Sequence, residues 1–242
     1  MWRAARELQQ VVLGLFAAGF SLGGSGCDRL VLPEMPVVPL AENGGRQLYV
    51  ARIEVTFADW QQCFDAGGCR FMPKLPAGKS AAEFPVVGVN WFDVSEYLAW
   101  INWQTGKNLR LPTLAEWRWI ARDSLRNAPP RLFDDPRLSW AANYGSETPV
   151  SAELQKSRSF SRSSDGIFDL DGNVWEWTSD CAADGFTAKD RDRCPAYFVG
   201  GEHIAAIPVF VRDPASGGCS TGVPPANLGL RLVSDQRGAP SS

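Results

Sequence analysis

Apolar residues recur at helical spacing in three stretches of the chain, each bracketed by residues that start and stop helices. From about Phe57 to Ala66 the pattern predicts a first helix, with Thr56 as its N-cap and Gly67 as its stop. Val94, Tyr97, Leu98 and Ile101 repeat at three- and four-residue intervals beyond Asn90, predicting a second helix with one buried face that ends at Gly106. In "RLPTLAEWRWIARDSL" Thr113 and Glu116 form a capping box behind Pro112 and open a third. Ahead of them "YVARIEVT" alternates enough for a strand, and residues 28–48 are a Pro-rich extended lead-in. After Arg126 the periodicity dissolves. Residues 127–166 and 182–196 are polar, and "GIFDL", "VWEW", "YFVGG", "VFVR" and "LGLRLV" read as brief strands in one irregular sheet. Helices early and short strands late predict a coil-rich α+β single domain with about three helices.

The first residues carry a different signal. Arg3 and Arg6 precede an apolar or small run of 14 residues, Val11 to Gly24. A spanning helix needs roughly 20, so 1–26 reads as an export signal rather than an anchor. Gly24 and Gly26 suit the cleavage site. Cys27 would then open the mature chain, and a lipoprotein would lipidate such a residue, though Gly24 stands where Leu is preferred. The expected division is 1–26 signal, 27–48 lead-in, 49–236 domain and 237–242 tail, with no direct membrane span. The expected location is the periplasm, in solution or against the outer membrane.

Export changes the reading of the six cysteines. In an oxidising compartment, pairs close in sequence form disulfides. Cys63 and Cys69 can close a tight loop through Gly67 and Gly68, and Cys181 and Cys194 can clamp the polar segment between them. Cys27 and Cys219 either pair or stay free. The composition of 242 residues, 45% hydrophobic and 11% aromatic, is that of a folded domain. A formal charge of -3 leaves no basic excess for nucleic acid. The single histidine, His203, excludes multi-His metal sites. Ten Trp against four Tyr point to a core wedged by indoles.

Four segments resemble the formylglycine-generating enzyme (sulfatase-modifying factor) family of the C-type-lectin-like fold. They are "EVTFADWQQCFDAGGC", "PVVGVNWFDVSEYLAWINWQTGKNLRLPTLAEWRWIAR", "GIFDLDGNVWEWTSD", and the run from Gly200 through "VR" to "NLGLRLV". The resemblance implies two copper-binding cysteines, and anchored on Gly200 and Gly201 they fall on Ala205 and Phe210. Neither binds copper, so a non-catalytic member with no copper and no catalytic residue is expected. The family's calcium loop falls on the Asp169 side chain, the Gly172 and Val174 carbonyls and the Glu176 carboxylate, an oxygen-rich set suited to a hard cation. A second calcium site would begin at Asn143 and Tyr144.

Within the family the chain looks most like the TagR-like branch of type VI secretion. That likeness implies protein partners: the periplasmic part of a Ser/Thr kinase such as PpkA, and an outer-membrane lipoprotein such as TagQ. The alternative is an oxidoreductase tailoring a peptide or siderophore, as in the pyoverdine-maturation branch, with Glu202 and His203 as its groove residues. A third option is a lectin-like module that binds sugar or an envelope component.

Overall fold

Local chemistry sets the helix ends. In the computed structural model α1 (Phe57–Asp65), α2 (Trp91–Thr105) and α3 (Leu114–Ile120) each begin on a reciprocal capping box. Thr56 pairs with Asp59, Asn90 with Asp93 and Thr113 with Glu116, so each box satisfies two otherwise orphaned amides. Gly106 ends α2 in the left-handed region at φ 63°, where a Cβ would be strained. The structure describes residues 30, 32–40, 46–125, 153–183, 185, 193–202, 204–213 and 227–236. The export segment, Cys27, Asn143, Tyr144, His203 and Cys219 lie outside them.

From Leu32 onward the chain forms one compact unit, an α+β fold. Its strands are β1 (Val37–Pro39), β2 (Gln47–Val50), β3 (Trp175–Cys181), β4 (Ala196–Gly200), β5 (Ile204–Pro208), β6 (Leu228–Gly229) and β7 (Val233–Ser234). They make two sheets rather than the one expected, ordered β1-β2-β7 and β5-β4-β3-β6. The β3–β6 pairing is parallel and the other pairings are antiparallel. The lead-in does more than extend. Val38 and Leu40 are buried, and Val37–Pro39 pairs with β2.

Two strand expectations shift. "VFVR" is not a strand; Val209 and Phe210 form a turn after β5. The β4–β5 register, from Gly200↔Ile204 to Ala196↔Pro208, uses the preceding apolar run instead. "GIFDL" contributes only a bridge between Arg162 and Phe168. "LGLRLV" divides: Leu228 pairs with Trp175 and Val233 with Val50, so residues 228–234 thread between the sheets with every side chain buried. Among the described residues no helix is long and apolar enough to cross a membrane.

Indoles wedge this core tightly enough to forbid a side chain at the end of β4. A Cβ on Gly200 would lie 2.3 Å from the Trp117 ring, and one on Gly201 2.6 Å from Trp175. Gly200→Ala is therefore expected to destabilise by about 1–3 kcal/mol, because a ring buried among α3, β3 and β4 cannot move aside. The urea midpoint reads this directly, and an unchanged midpoint would show that Trp117 repacks freely.

Candidate functional site

Three features dominate the chemistry of the described residues: a buried charge cluster, the outer face where β4 turns into β5, and a cleft beside the second disulfide. The cluster begins with Arg231, carried into the interior by the threading of 228–234. Its Nε and Nη2 donate to Glu176 Oε1 at 2.9 and 2.7 Å. Its Nη1 and Nη2 also donate to the Ala51 and Phe168 carbonyls, each at 2.9 Å. Glu176 Oε2 accepts the Trp117 indole N–H at 2.8 Å. Glu54 completes the group. Its carboxylate lies 3.8 Å from Arg231, fully buried, and neither oxygen has a hydrogen-bond partner. Burial pushes its carboxyl up to about 8, opposed by Arg231 and reinforced by Glu176 and Asp169. A buried, unpartnered carboxylate is costly as an ion and far less so as an acid, so Glu54 carries a proton at neutral pH.

This arrangement surrounds the residues of the expected calcium set. Asp169, itself fully buried at φ 65°, accepts the backbone amides of Arg158 and Phe160, the latter at 2.8 Å. Burial raises its carboxyl above the ordinary range, against those two amides and Arg231. The Gly172 carbonyl accepts the Val174 amide at 2.8 Å, and the Phe160 ring would collide with any Cβ on Gly172. Asn173 turns to Gln155 instead, exchanging hydrogen bonds with its backbone. Thus both carboxylates of the expected set already accept hydrogen bonds on each oxygen, and a guanidinium sits against Glu176. A calcium ion here would share these oxygens with those donors, as carboxylates with two lone pairs on each oxygen can. Among the described residues no group of three or more His, Cys, Asp or Glu is arranged to hold a metal ion.

The second feature is the face at the end of β4. Gly201 lies under Trp175, and Glu202 follows at the surface, its carboxyl raised by partial burial. Ala205 is buried in β5 opposite Val199, while Phe210 stands 67% exposed. No thiol of the described residues reaches this face, because the four described cysteines are spent in the Cys63–Cys69 and Cys181–Cys194 disulfides. Neither the Ala205 methyl nor the Phe210 ring offers a ligand for copper.

The third feature is a cleft of about 660 Å³ between the start of α2 and the residues before β4. Trp91 is only half-buried and forms its wall. Its ring stacks on Tyr197 with centroids 3.4 Å apart. The Cys181–Cys194 disulfide ties Cys194 and its neighbours into the rim. Charge pairs lock the surroundings. Arg110 joins Glu116 and Asp235, and Arg212 joins Asp93 while covering the Phe71 ring at 4.0 Å.

A sequence model of the sulfatase-modifying factor enzyme 1-like domain matches residues 10–236. The inactive C-alpha-formylglycine-generating enzyme 2 of Bos taurus is 33% identical over 139 residues, which is 49% of this chain and 40% of that protein. The serine/threonine-protein kinase pkn1 of Chlamydia caviae is 33% identical over 108 residues, 44% of this chain and 15% of the kinase. The chain thus spans well under half the length of either relative. The solved structure of PvdO from Pseudomonas aeruginosa shares the fold at a TM-score of 0.50 and 18% identity, over 82% of this chain and 89% of PvdO.

Proposed function

The chain belongs to the sulfatase-modifying factor enzyme 1-like family, and within it we propose a member that binds and regulates instead of catalysing. On this reading it is exported to the periplasm and acts in the TagR-like manner. It promotes activation of a transmembrane Ser/Thr kinase in the type VI secretion threonine-phosphorylation pathway. Its partners are the kinase's periplasmic part, such as PpkA, and a lipoprotein of the outer membrane, such as TagQ. The observation that carries the reading is the pair Ala205 and Phe210 on β5 and its turn, a methyl and a benzyl group at the positions the family resemblance gives to copper thiolates. Two relatives support it from other directions. One bears an inactive enzyme's name, and a segment of a Ser/Thr kinase aligns with 44% of this chain.

Two measurements test the proposal together. Purified protein given a cysteine peptide, copper and oxygen is expected to yield no aldehyde by mass spectrometry. The kinase carrying its periplasmic part, reconstituted in vesicles, is expected to gain autophosphorylation when the protein is added. Aldehyde formation would restore the enzyme, and a kinase indifferent to saturating protein would remove the regulatory role. The rival reading, an oxidoreductase working through Glu202, is supported by that residue's raised carboxyl at the β4–β5 face. It demands a turnover that Glu202→Gln abolishes, whereas the regulatory reading expects no turnover to lose.

A further inference from the structure

We infer that Arg52 and Arg162, whose guanidinium groups meet beside Gly166, form a binding site for the phosphate group of a monoester, with Arg158 adding to its charge. Such a site goes beyond the regulatory role and does not depend on it.

Backbone bonds bring these arginines together. Arg52 follows β2; its amide donates to the Glu34 carbonyl at 2.9 Å, and its own carbonyl accepts the Phe168 amide at 3.0 Å. Phe168 in turn bridges antiparallel to Arg162, which sets the two side chains on one face of a tight turn. The Gly166 amide closes that turn on the Ser163 carbonyl at 2.9 Å, and the Ile167 amide on the Ser163 hydroxyl at 3.1 Å. The Phe168 ring then carries the guanidinium groups of both Arg158 and Arg162, at 5.5 and 5.6 Å from its centre.

Gly166 leaves the room between the cations. It is buried and adopts φ 81°, a region that other residues rarely enter. A Cβ there would stand 3.4 Å from Arg162 Nη2, 3.7 Å from Arg162 Nε and 3.5 Å from Arg52 Nη1. Three guanidinium nitrogens therefore converge beside one stretch of bare backbone. Arg162 Nη2 and Arg52 Nη1 are at most about 7 Å apart, a gap that one phosphate can bridge with oxygens that each accept at about 2.8 Å. Arg162 also turns its Nε and Nη2 to the gap together, the pair of donors that grips an oxyanion through two bonds.

Donors are in excess here. Arg52 gives Nη2 to Glu34, while its Nε is buried without a hydrogen-bond partner. Among the described residues, neither Arg158 nor Arg162 has a carboxylate within ion-pair distance. The carboxylates nearby are committed to other groups. Asp165 pairs with Arg122 at 2.7 Å and Glu83 with Lys156 at 3.0 Å. Asp169 accepts the Arg158 and Phe160 amides, and Asp171 the Ser161 amide at 3.2 Å. Three guanidinium groups against the one carboxylate of Glu34 leave two positive charges uncompensated. A phosphate monoester carries about −2 at neutral pH and matches them, whereas a carboxylate supplies half of that.

The test titrates methyl phosphate and acetate into the full-length protein and follows amide chemical shifts. Saturable shifts are expected at Arg52, Arg162, Gly166 and Phe168, with methyl phosphate bound about tenfold more tightly than acetate. Arg162→Gln, at an exposed position, should lower the phosphate affinity about tenfold. Arg70→Gln removes an exposed guanidinium that pairs with Glu96, and it should leave that affinity unchanged. Flotation with phosphatidylcholine vesicles, with and without phosphatidic acid, separates the two sources of a phosphate monoester. Flotation that requires phosphatidic acid and is lost in Arg162→Gln assigns the group to a lipid headgroup. Saturable shifts with methyl phosphate but no flotation assign it to a soluble ester. Neither shifts nor flotation would overturn the site, as would acetate bound as tightly as methyl phosphate or an affinity that ignores Arg162→Gln.

Discussion

Replacing Arg231 by leucine is expected to cost about 3–5 kcal/mol of unfolding free energy, because it strands the carboxylate of Glu176 in the interior without a cation. Arg231 and Glu176 are 0% and 1% exposed, so water cannot take over from the guanidinium. The loss goes further than one pair. Arg231 also satisfies the carbonyls of Ala51 and Phe168 and is the nearest cation to Glu54. Three segments distant in sequence therefore lose a common partner. The asymmetry of such pairs supplies the control. Arg231→Leu combined with Glu176→Gln leaves no buried charge on β3, and a glutamine oxygen can still accept the Trp117 N–H. The double variant should recover a large part of the loss, and urea midpoints of the four proteins in the cycle measure it. Additivity of the two substitutions would show that the pair does not interact and would refute this account of the cluster.

Much of this was legible in the sequence, and what was not has a common cause. Helix ends were legible because a capping box is written within four residues, as Thr113 and Glu116 show. Both disulfides of the described residues were legible because short loops leave few ways to pair. The strand after Gly201 was not. Ile204–Pro208 and "VFVR" are consecutive apolar runs, and only the hairpin register with β4 chooses between them.

The charge cluster hid in plain view. "IEV" and "LGLRLV" each place one charge among apolar residues, a sign that the charge is buried and needs a partner. Which partner it takes is a long-range matter. That Asp169 and Glu176 carry oxygen donors is a property of the residues, whereas the hydrogen bonds those oxygens accept from Arg158, Phe160, Arg231 and Trp117 are a property of the fold. Trp91 shows the same limit. Its helix face points inward, yet no residue of the described chain covers the cleft it lines.

The orphaned acid of that cluster has a titration of its own, and the protein is expected to become more stable as the pH falls from about 8 toward 4.5. In the unfolded chain Glu54 ionises near its ordinary value of 4.5; in the folded chain burial, with Glu176 and Asp169, holds the proton until about 8. Between those limits the folded state keeps a proton that the unfolded state has released. Stability must then fall with rising pH, by up to about 1.4 kcal/mol per pH unit. The contribution is complete below the unfolded value and lost as pH rises through the folded one. Two lowered carboxylates, Asp235 and Glu116, act in the opposite sense and in a different window. Asp235 is held below the usual range by Arg110, and Glu116 is too, where Arg110 and the Thr113 amide outweigh partial burial. Their stabilisation is lost only as the pH drops below the ordinary carboxylate value, so it does not mask the Glu54 slope. Glu54→Gln keeps the shape and cannot titrate, so urea midpoints across the window should vary much less in the variant. A slope that survives the substitution would place the proton on another group, and Asp169, whose carboxyl burial also raises, would be the next to replace.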